Sequence, residues 1–292
     1  MLDCIIVGSG LAGISAALTL QANGKTFELF GSSELSSKIY RAEKIHNYPG
    51  LSDISGEAFC NALKAQLAEA KISINTQKVA GVYALKDKFT VMTQEGNTFE
   101  GKTVILALGV ETIKPIQGET EFLGRGVSYC ATCDGFLYKG KTIAVVGTSK
   151  ALEHEIAHLA GFAEKVYLIP MYKGESFQAP NVEKIMKMPV KIDGERKANK
   201  LVFAAPPSEN IPQELPVDGV FMLKESISPA ALVAGLETKD GHVVVDRGMN
   251  TNLKGFFAAG DCTGRPYQYT KAAGEGNVAA YSVTAYCAAN KE

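Results

Sequence analysis

The chain opens on a short apolar run, Leu2–Val7, that stops at a glycine turn. A run of this length with no polar stripe at helical spacing reads as a buried strand. Gly8-Ser9-Gly10-Leu11-Ala12-Gly13 follows, then a helix of Ala, Ile and Leu that ends at Gly24, a natural C-terminal cap, and a second strand over Thr26–Phe30. The same order returns about 140 residues later: a strand over Lys141–Val146, a turn at Gly147-Thr148-Ser149, a helix over Lys150–Gly161 and a strand over Glu164–Ile169. Two such units predict an α/β protein made of two doubly wound, Rossmann-like, three-layer nucleotide-binding domains. Between them, Phe89–Thr93 and Thr98–Phe99 read as a hairpin around Gly96, and Thr103–Leu108 as another buried strand. Residues Asn181–Lys200 are lysine-rich and punctuated by Pro189 and Gly194. Near the end, Gly255–Ala259 reads as a strand running into Gly260-Asp261, and Ala272–Ala289 as a helix of small residues.

Composition narrows the classes. The 292 residues suffice for two ordinary domains or one large one, and 46% hydrophobic and 21% charged residues with a formal net charge of −1 describe an ordinary soluble globular protein. That balance supplies no field to draw nucleic acid or an anionic membrane, so neither is an expected partner. No apolar run reaches the roughly 18 residues that span a bilayer. Asp3 and Cys4 leading into a strand are unlike a secretory signal, and the expected location is cytoplasmic.

The first glycine turn stands in the strand–turn–helix context that gives a Gly-x-Gly-x-x-Gly match its meaning. Gly8 makes the tight turn, Gly10 lets a pyrophosphate approach the backbone, and Gly13 lets the helix pack closely on the strand. No carboxylate closes the second strand, where Phe30-Gly31 stand. Glu34 is the nearest acid for a ribose, and a solvated loop glutamate is the plain alternative.

Of six cysteines, only Cys130 and Cys133 are close. A zinc site would need two further ligands, and neither a second pair nor finger-like spacing to His46, His154, His158 or His242 supplies them. A redox disulfide needs only this pair, with one thiol to attack and one to resolve, and Asp134 beside it is an acid able to move a proton. No metal is expected.

The segment Ser128-Tyr129-Cys130-Ala131-Thr132-Cys133-Asp134-Gly135-Phe136 resembles the active-site segment of low-molecular-weight thioredoxin reductases. So do Gly8–Gly13, Asn47-Tyr48-Pro49-Gly50, Leu106-Ala107-Leu108-Gly109, Ala258-Ala259-Gly260-Asp261 and Ala272-Ala273-Gly274-Glu275-Gly276, in the family's order across almost the whole chain. The resemblance implies FAD along Gly8, Ser9, Gly10, Leu11, Ala12 and Gly13, with Asn47, Val79, Gly109, Gly260, Asp261, Gln268, Tyr269 and Ala272 near it. From the residues themselves Glu34 and Lys38 are further candidates beside the cofactor, with a solvated glutamate and a surface lysine as the plainer accounts. It implies that Cys133 faces the flavin, that Cys130 attacks the disulfide of thioredoxin, and that Asp134 serves as acid–base. It further implies a homodimer, a rotating domain, and a discontinuous FAD domain, residues 1–112 and 235–292, around an insert at 113–234. Ser36-Ser37-Lys38 depart from the family's usual Gly-Gly-Gln.

The second glycine turn departs further. Ser149 stands where the second glycine should be and Leu152 at the third position, and Pro170-Met171-Tyr172-Lys173 offers no arginine for the 2′-phosphate of NADPH. In this respect the chain is similar to the ferredoxin-dependent flavin thioredoxin reductases of anaerobic bacteria, which implies reduced ferredoxin as donor. A basic docking surface is then expected, either among Lys184, Lys187, Lys191, Arg196, Lys197 and Lys200 or at Lys38, Arg41 and Lys44. A working but diverged NADPH site, a second flavin in the vacant place, and a non-catalytic redox sensor remain as alternatives.

Overall fold

In the computed structural model, which describes residues 1–40, 42–110, 115–204, 213–224 and 229–290, β1 (Leu2–Val7) lies inside a sheet, parallel to β2 (Phe27–Phe30) on one side and to β5 (Thr98–Leu106) on the other. A strand covered on both faces is apolar at nearly every position, and Cys4, Ile5, Ile6 and Val7 are all buried. α1 (Leu11–Ala22) links β1 to β2. Then come α2 (Ser37–Tyr40), α3 (Gly56–Glu69), β3 (Val79–Ala84) and β4 (Phe89–Thr93). α3 carries a legible start, Ser55, whose side chain accepts the Ala58 N–H at 3.1 Å, and it buries Phe59, Cys60, Leu63 and Leu67 on one face.

β5 is one strand where the sequence suggested two. Its first half runs antiparallel to β4 and its second half parallel to β1, the change falling at Gly101. The missing side chain there lets β5 pass close over Ile5, whose Cγ1 would lie 3.0 Å from a built Cβ.

The intervening stretch forms β6 (Val127–Ser128), α4 (Ala131–Asp134), β7 (Thr142–Gly147), α5 (Glu153–Ala160), β8 (Lys165–Pro170) and β9 (Val182–Lys184), followed by β10 (Pro189–Gly194), β11 (Ala198–Phe203), β12 (Glu214–Pro216) and β13 (Gly219–Leu223). β6-β13-β7-β8-β9 is an all-parallel sheet, and β10-β11-β12 an antiparallel one made largely from the lysine-rich stretch. The expected helix at 150–161 is shorter, because Lys150–Leu152 form a 3-10 turn before α5 begins.

The chain then returns through α6 (Pro229–Leu232), β14 (Thr238–Lys239), β15 (His242–Val243) and β16 (Phe256–Ala258), which adds to β5, and ends in α7 (Tyr269–Ala289). Two compact units result: Met1–Val110 with Ser228–Glu292, and Glu111–Ile227. The second boundary falls seven residues before the expected 234, since Leu232 and Val233 are buried with Val82 and Phe256 in the core of the first unit. In that unit α1 and α7 meet through small residues, and a Cβ on Gly276 would lie 2.0 Å from the Ala12 carbonyl oxygen. The α/β class and the discontinuous first domain stand as the sequence predicts.

Candidate active site and dinucleotide turns

In the first turn Gly8 has φ +119°, and a Cβ on it would lie 2.3 Å from the Ala107 carbonyl oxygen. A Cβ on Gly13 would lie 1.8 Å from the carbonyl oxygen of Gly8, whereas Gly10 has nothing within 4 Å. α1 therefore starts tight against β1 and leaves open space at Gly10. It has no side-chain cap and no acid in its first turn, so its first N–H groups and the positive end of its dipole remain for an anion. Leu11 and Ala12 are buried in this turn, and buried Ser9 donates to the Ser32 carbonyl at 3.0 Å. A Cβ on Gly31 would fall 2.2 Å from Ser9 Oγ and 2.6 Å from its backbone nitrogen, so the position just after β2 has no room for a side chain. Glu34 lies on the loop beyond, its side chain 78% exposed and paired with Lys64 at 2.6 Å.

Further residues of the same unit complete this side. Asn47 Nδ2 donates to Gln268 Oε1 at 2.7 Å, Gly109 has φ +72° with open space around it, and Lys38 donates to the Val110 carbonyl at 2.9 Å. Tyr269 opens α7 and stacks edge-on to Phe59, Ala272 packs partly into the core beneath, and buried Val79 pairs with Thr93 at the start of β3.

The sequence reading missed the brace beneath Gly260-Asp261. Lys271 donates to the carbonyls of Gly260 (3.0 Å) and Gly264 (2.9 Å) and pairs with Glu275 at 3.1 Å; Glu275 accepts the Gly260 N–H at 2.8 Å. The signal was an i,i+4 Lys–Glu pair inside a helix start. Burial holds the Asp261 carboxyl above the ordinary aspartate range, against the pull of Lys271 and Lys38. Open backbone, an uncapped helix end and a half-buried carboxylate fit a dinucleotide with its pyrophosphate at Gly8–Gly13.

In the other unit Cys130 and Cys133 form a disulfide with Cα atoms 5.3 Å apart. Cys130 is the N-cap of α4, its Sγ accepting the Cys133 N–H at 3.1 Å. Cys130 is buried and Cys133 partly exposed; Asp134 ends α4, and Phe136 and Leu137 beyond it expose apolar side chains. The remaining four cysteines are buried free thiols, with burial pushing Cys4 and Cys262 up to about 12.

The second turn differs from the first in more than Ser149 and Leu152. The N–H and hydroxyl of Thr148 both donate to the Leu223 carbonyl, at 3.0 and 3.1 Å, joining the ends of β7 and β13. Tyr172 lies over Gly147, its ring 3.5 Å from where a Cβ would stand, and donates its hydroxyl to Glu153 Oε1 at 3.0 Å. Burial, with the Glu153 hydrogen bond, pushes this phenol up to about 12. Glu153 and Glu155 both occupy the first turn of α5, where their negative charge meets the positive end of the helix dipole. Sequence reading passed over these acids because acids are ordinary at helix starts.

Within the basic stretch Lys191 and Lys200 pair with Asp193, Lys200 also with Glu214, and the neighbouring Glu183 pairs with Lys165. In the alternative patch Arg41 lies outside the described residues. Among the described residues no helix is long and apolar enough to cross a membrane, and no three His, Cys, Asp or Glu side chains group as metal ligands.

A CxxC disulfide carried on one of two doubly wound units defines a disulfide oxidoreductase. The family of pyridine nucleotide-disulphide oxidoreductases matches residues 2–276. The thioredoxin reductase of Helicobacter pylori J99 is 32% identical over 98% of this chain and 99% of its own length. The chain thus belongs to the pyridine nucleotide-disulphide oxidoreductase family and, within it, to the thioredoxin reductases. Among solved structures, a ferredoxin-flavin thioredoxin reductase from Clostridium acetobutylicum matches with TM-score 0.88 and 44% identity over 99% of each chain. A thioredoxin reductase from Gloeobacter violaceus matches with TM-score 0.81 and 31% identity, over 100% of this chain and 96% of that one.

Proposed function

We propose that this chain is an FAD-dependent thioredoxin-disulfide reductase whose electrons come from reduced ferredoxin and not from a pyridine nucleotide. The observation that carries the donor assignment is Tyr172 lying over Gly147 with its hydroxyl on Glu153. The place of the missing arginine is taken by an aromatic ring, and the helix end beside it carries carboxylates. Likeness to the ferredoxin-flavin enzyme of Clostridium acetobutylicum supports the same reading.

FAD, when bound, supplies the conversion between the single electrons of an iron–sulfur donor and the electron pair that a disulfide takes. Gly8–Gly13 would hold its pyrophosphate, with Asn47, Asp261 and Gln268 as polar partners. In the reduced pair, Cys130 attacks a sulfur of the thioredoxin disulfide and forms a mixed disulfide, releasing one thioredoxin thiolate. Cys133 then attacks Cys130 Sγ, which closes the pair and frees the second thiolate, and Asp134 handles the protons. Burial of Cys130 requires this loop to become exposed for the exchange. Phe136 and Leu137 offer an apolar footing for a protein substrate. Two reduced ferredoxins and two protons per thioredoxin disulfide balance the reaction. With ferredoxin near roughly −400 mV and thioredoxin near roughly −270 mV, it releases about 6 kcal/mol.

Anaerobic stopped-flow absorbance tests the reading. Photoreduced ferredoxin is expected to bleach the flavin and support thioredoxin reduction, and NADPH to leave the yellow colour almost unchanged. Rapid bleaching by micromolar NADPH would overturn the donor assignment. Cys130→Ser is expected to abolish thioredoxin reduction with flavin still bound.

A further inference from the structure

Behind the redox pair lies a buried ion pair that thiol–disulfide exchange does not itself call for. Lys224, the residue after β13, and Glu119 have side chains 2% and 0% exposed, with Nζ and Oε1 2.6 Å apart. Tyr129 donates its hydroxyl to the same Oε1 at 2.7 Å, and the Ile116 N–H donates to Oε2 at 3.0 Å. The Lys224 ammonium also lies 5.8 Å from the centre of the Tyr129 ring. Tyr129 immediately precedes Cys130. On its other side, the Ser128 hydroxyl accepts the Cys130 N–H at 3.0 Å and donates to the Cys130 carbonyl at 3.2 Å.

Taking both charges out of water is costly, and well-packed apolar residues serve stability as well or better. Stability alone therefore does not account for the pair. Its placement does. β6 and β13 are parallel neighbours, so the segments that leave their C-terminal ends emerge side by side. One carries Tyr129 and Cys130, and the other carries Lys224. The Glu119 carboxylate ties them together.

We propose that the Glu119–Lys224 pair is a positioning device for the redox disulfide and acts through the Tyr129 hydroxyl. By fixing the residue before Cys130, it limits how far Cys130 strays from Cys133 in the dithiol. That freedom sets the effective concentration of one thiol at the other, and the equilibrium constant for disulfide closure follows it. Loosening Tyr129 makes the disulfide easier to reduce and the dithiol a weaker reductant. Neither Glu119 nor Lys224 touches a reacting atom. The inference rests on redox use of Cys130–Cys133, and on neither the donor nor the acceptor proposed above.

The test is a titration of the holoprotein in glutathione redox buffers, read by thiol alkylation and mass shift. The equilibrium converts the Cys130–Cys133 disulfide and two glutathione thiols into the dithiol and one oxidised glutathione. Tyr129→Phe is expected to favour the dithiol about tenfold, a shift of about +30 mV for this two-electron couple. Glu119→Leu/Lys224→Met removes the anchor without stranding a charge and is expected to shift it equally. Adding Tyr129→Phe to that double variant is expected to change nothing more, because all three changes act on one link. An equilibrium constant within twofold of wild type in either folded variant, or shifts that add, would overturn the proposal. Neither result depends on ferredoxin or thioredoxin.

Discussion

In the first turn Gly8 and Gly10 lead from β1 into a helix of 12 residues that has Gly13 and no acid in its first turn. In the second, Gly147 ends β7, and Ser149 and Leu152 lead to a helix of 8 residues with Glu153 and Glu155 in its first turn. Both turns follow a buried parallel strand, so the fold itself asks little of the second and third glycines in the later copy. What those glycines supply is a bare backbone and a close helix, and only a bound anion makes use of both. The first turn retains that pair of properties. The second has replaced them with a ring, a hydroxyl and carboxylates.

The sharpest way to break the comparison is at Gly13. Gly13→Ala puts a methyl 1.8 Å from a backbone oxygen that no rotamer change can move. More than about 3 kcal/mol of stability and the bound flavin are expected to go together, read by chemical unfolding and by the ratio of flavin to protein absorbance. Gly10→Ser is milder and more telling, because it copies Ser149 into a turn with open space around it. Apoprotein stability is expected to stay within about 0.5 kcal/mol of wild type. Flavin affinity, measured by fluorescence titration, is expected to fall by about tenfold or more as the hydroxyl blocks the pyrophosphate. Normal flavin affinity in that variant would mean that the second glycine is not what separates the two turns.

The smallest effect lies at Asp261. Because burial holds its carboxyl above the ordinary range, the folded apoprotein binds this proton more tightly than the unfolded chain does. Its contribution to stability is therefore present at low pH and is lost as pH rises from near 3.8 through the raised native value. Asp261→Asn is expected to widen its stability advantage over wild type as urea unfolding of the apoprotein is moved from pH 4 to pH 7. An advantage independent of pH would contradict the burial of a charged carboxylate there.

The strands of both doubly wound units and their glycine turns were legible because each is a local pattern: an apolar run, a break and a helix. The Cys130–Cys133 disulfide was legible for the same reason. Glu119 and Lys224 were not, since 105 residues separate them and only the parallel pairing of β6 with β13 brings them together. β10-β11-β12 stayed hidden because its charges, later seen paired across the strands, obscured the alternation of buried Ile192 and Leu201. Tyr172 and Glu153, 19 positions apart, became meaningful only when the ring was found over Gly147. Glu153 alone looks like any acid beginning a helix.

The division of the first unit between the two ends of the chain also governs its assembly during synthesis. Residues 111–227 leave the ribosome as one stretch, with every strand of their parallel sheet in hand. The Ala16 and Ala17 face of α1 must wait for α7, which emerges after residues 111–227. Growth from the N-terminus thus completes the disulfide-bearing portion while the earlier-made half still shows bare apolar surface. A chain cut short before Tyr269 would consequently be a sticky polypeptide lacking the cover for α1, a ready client for chaperones and proteases.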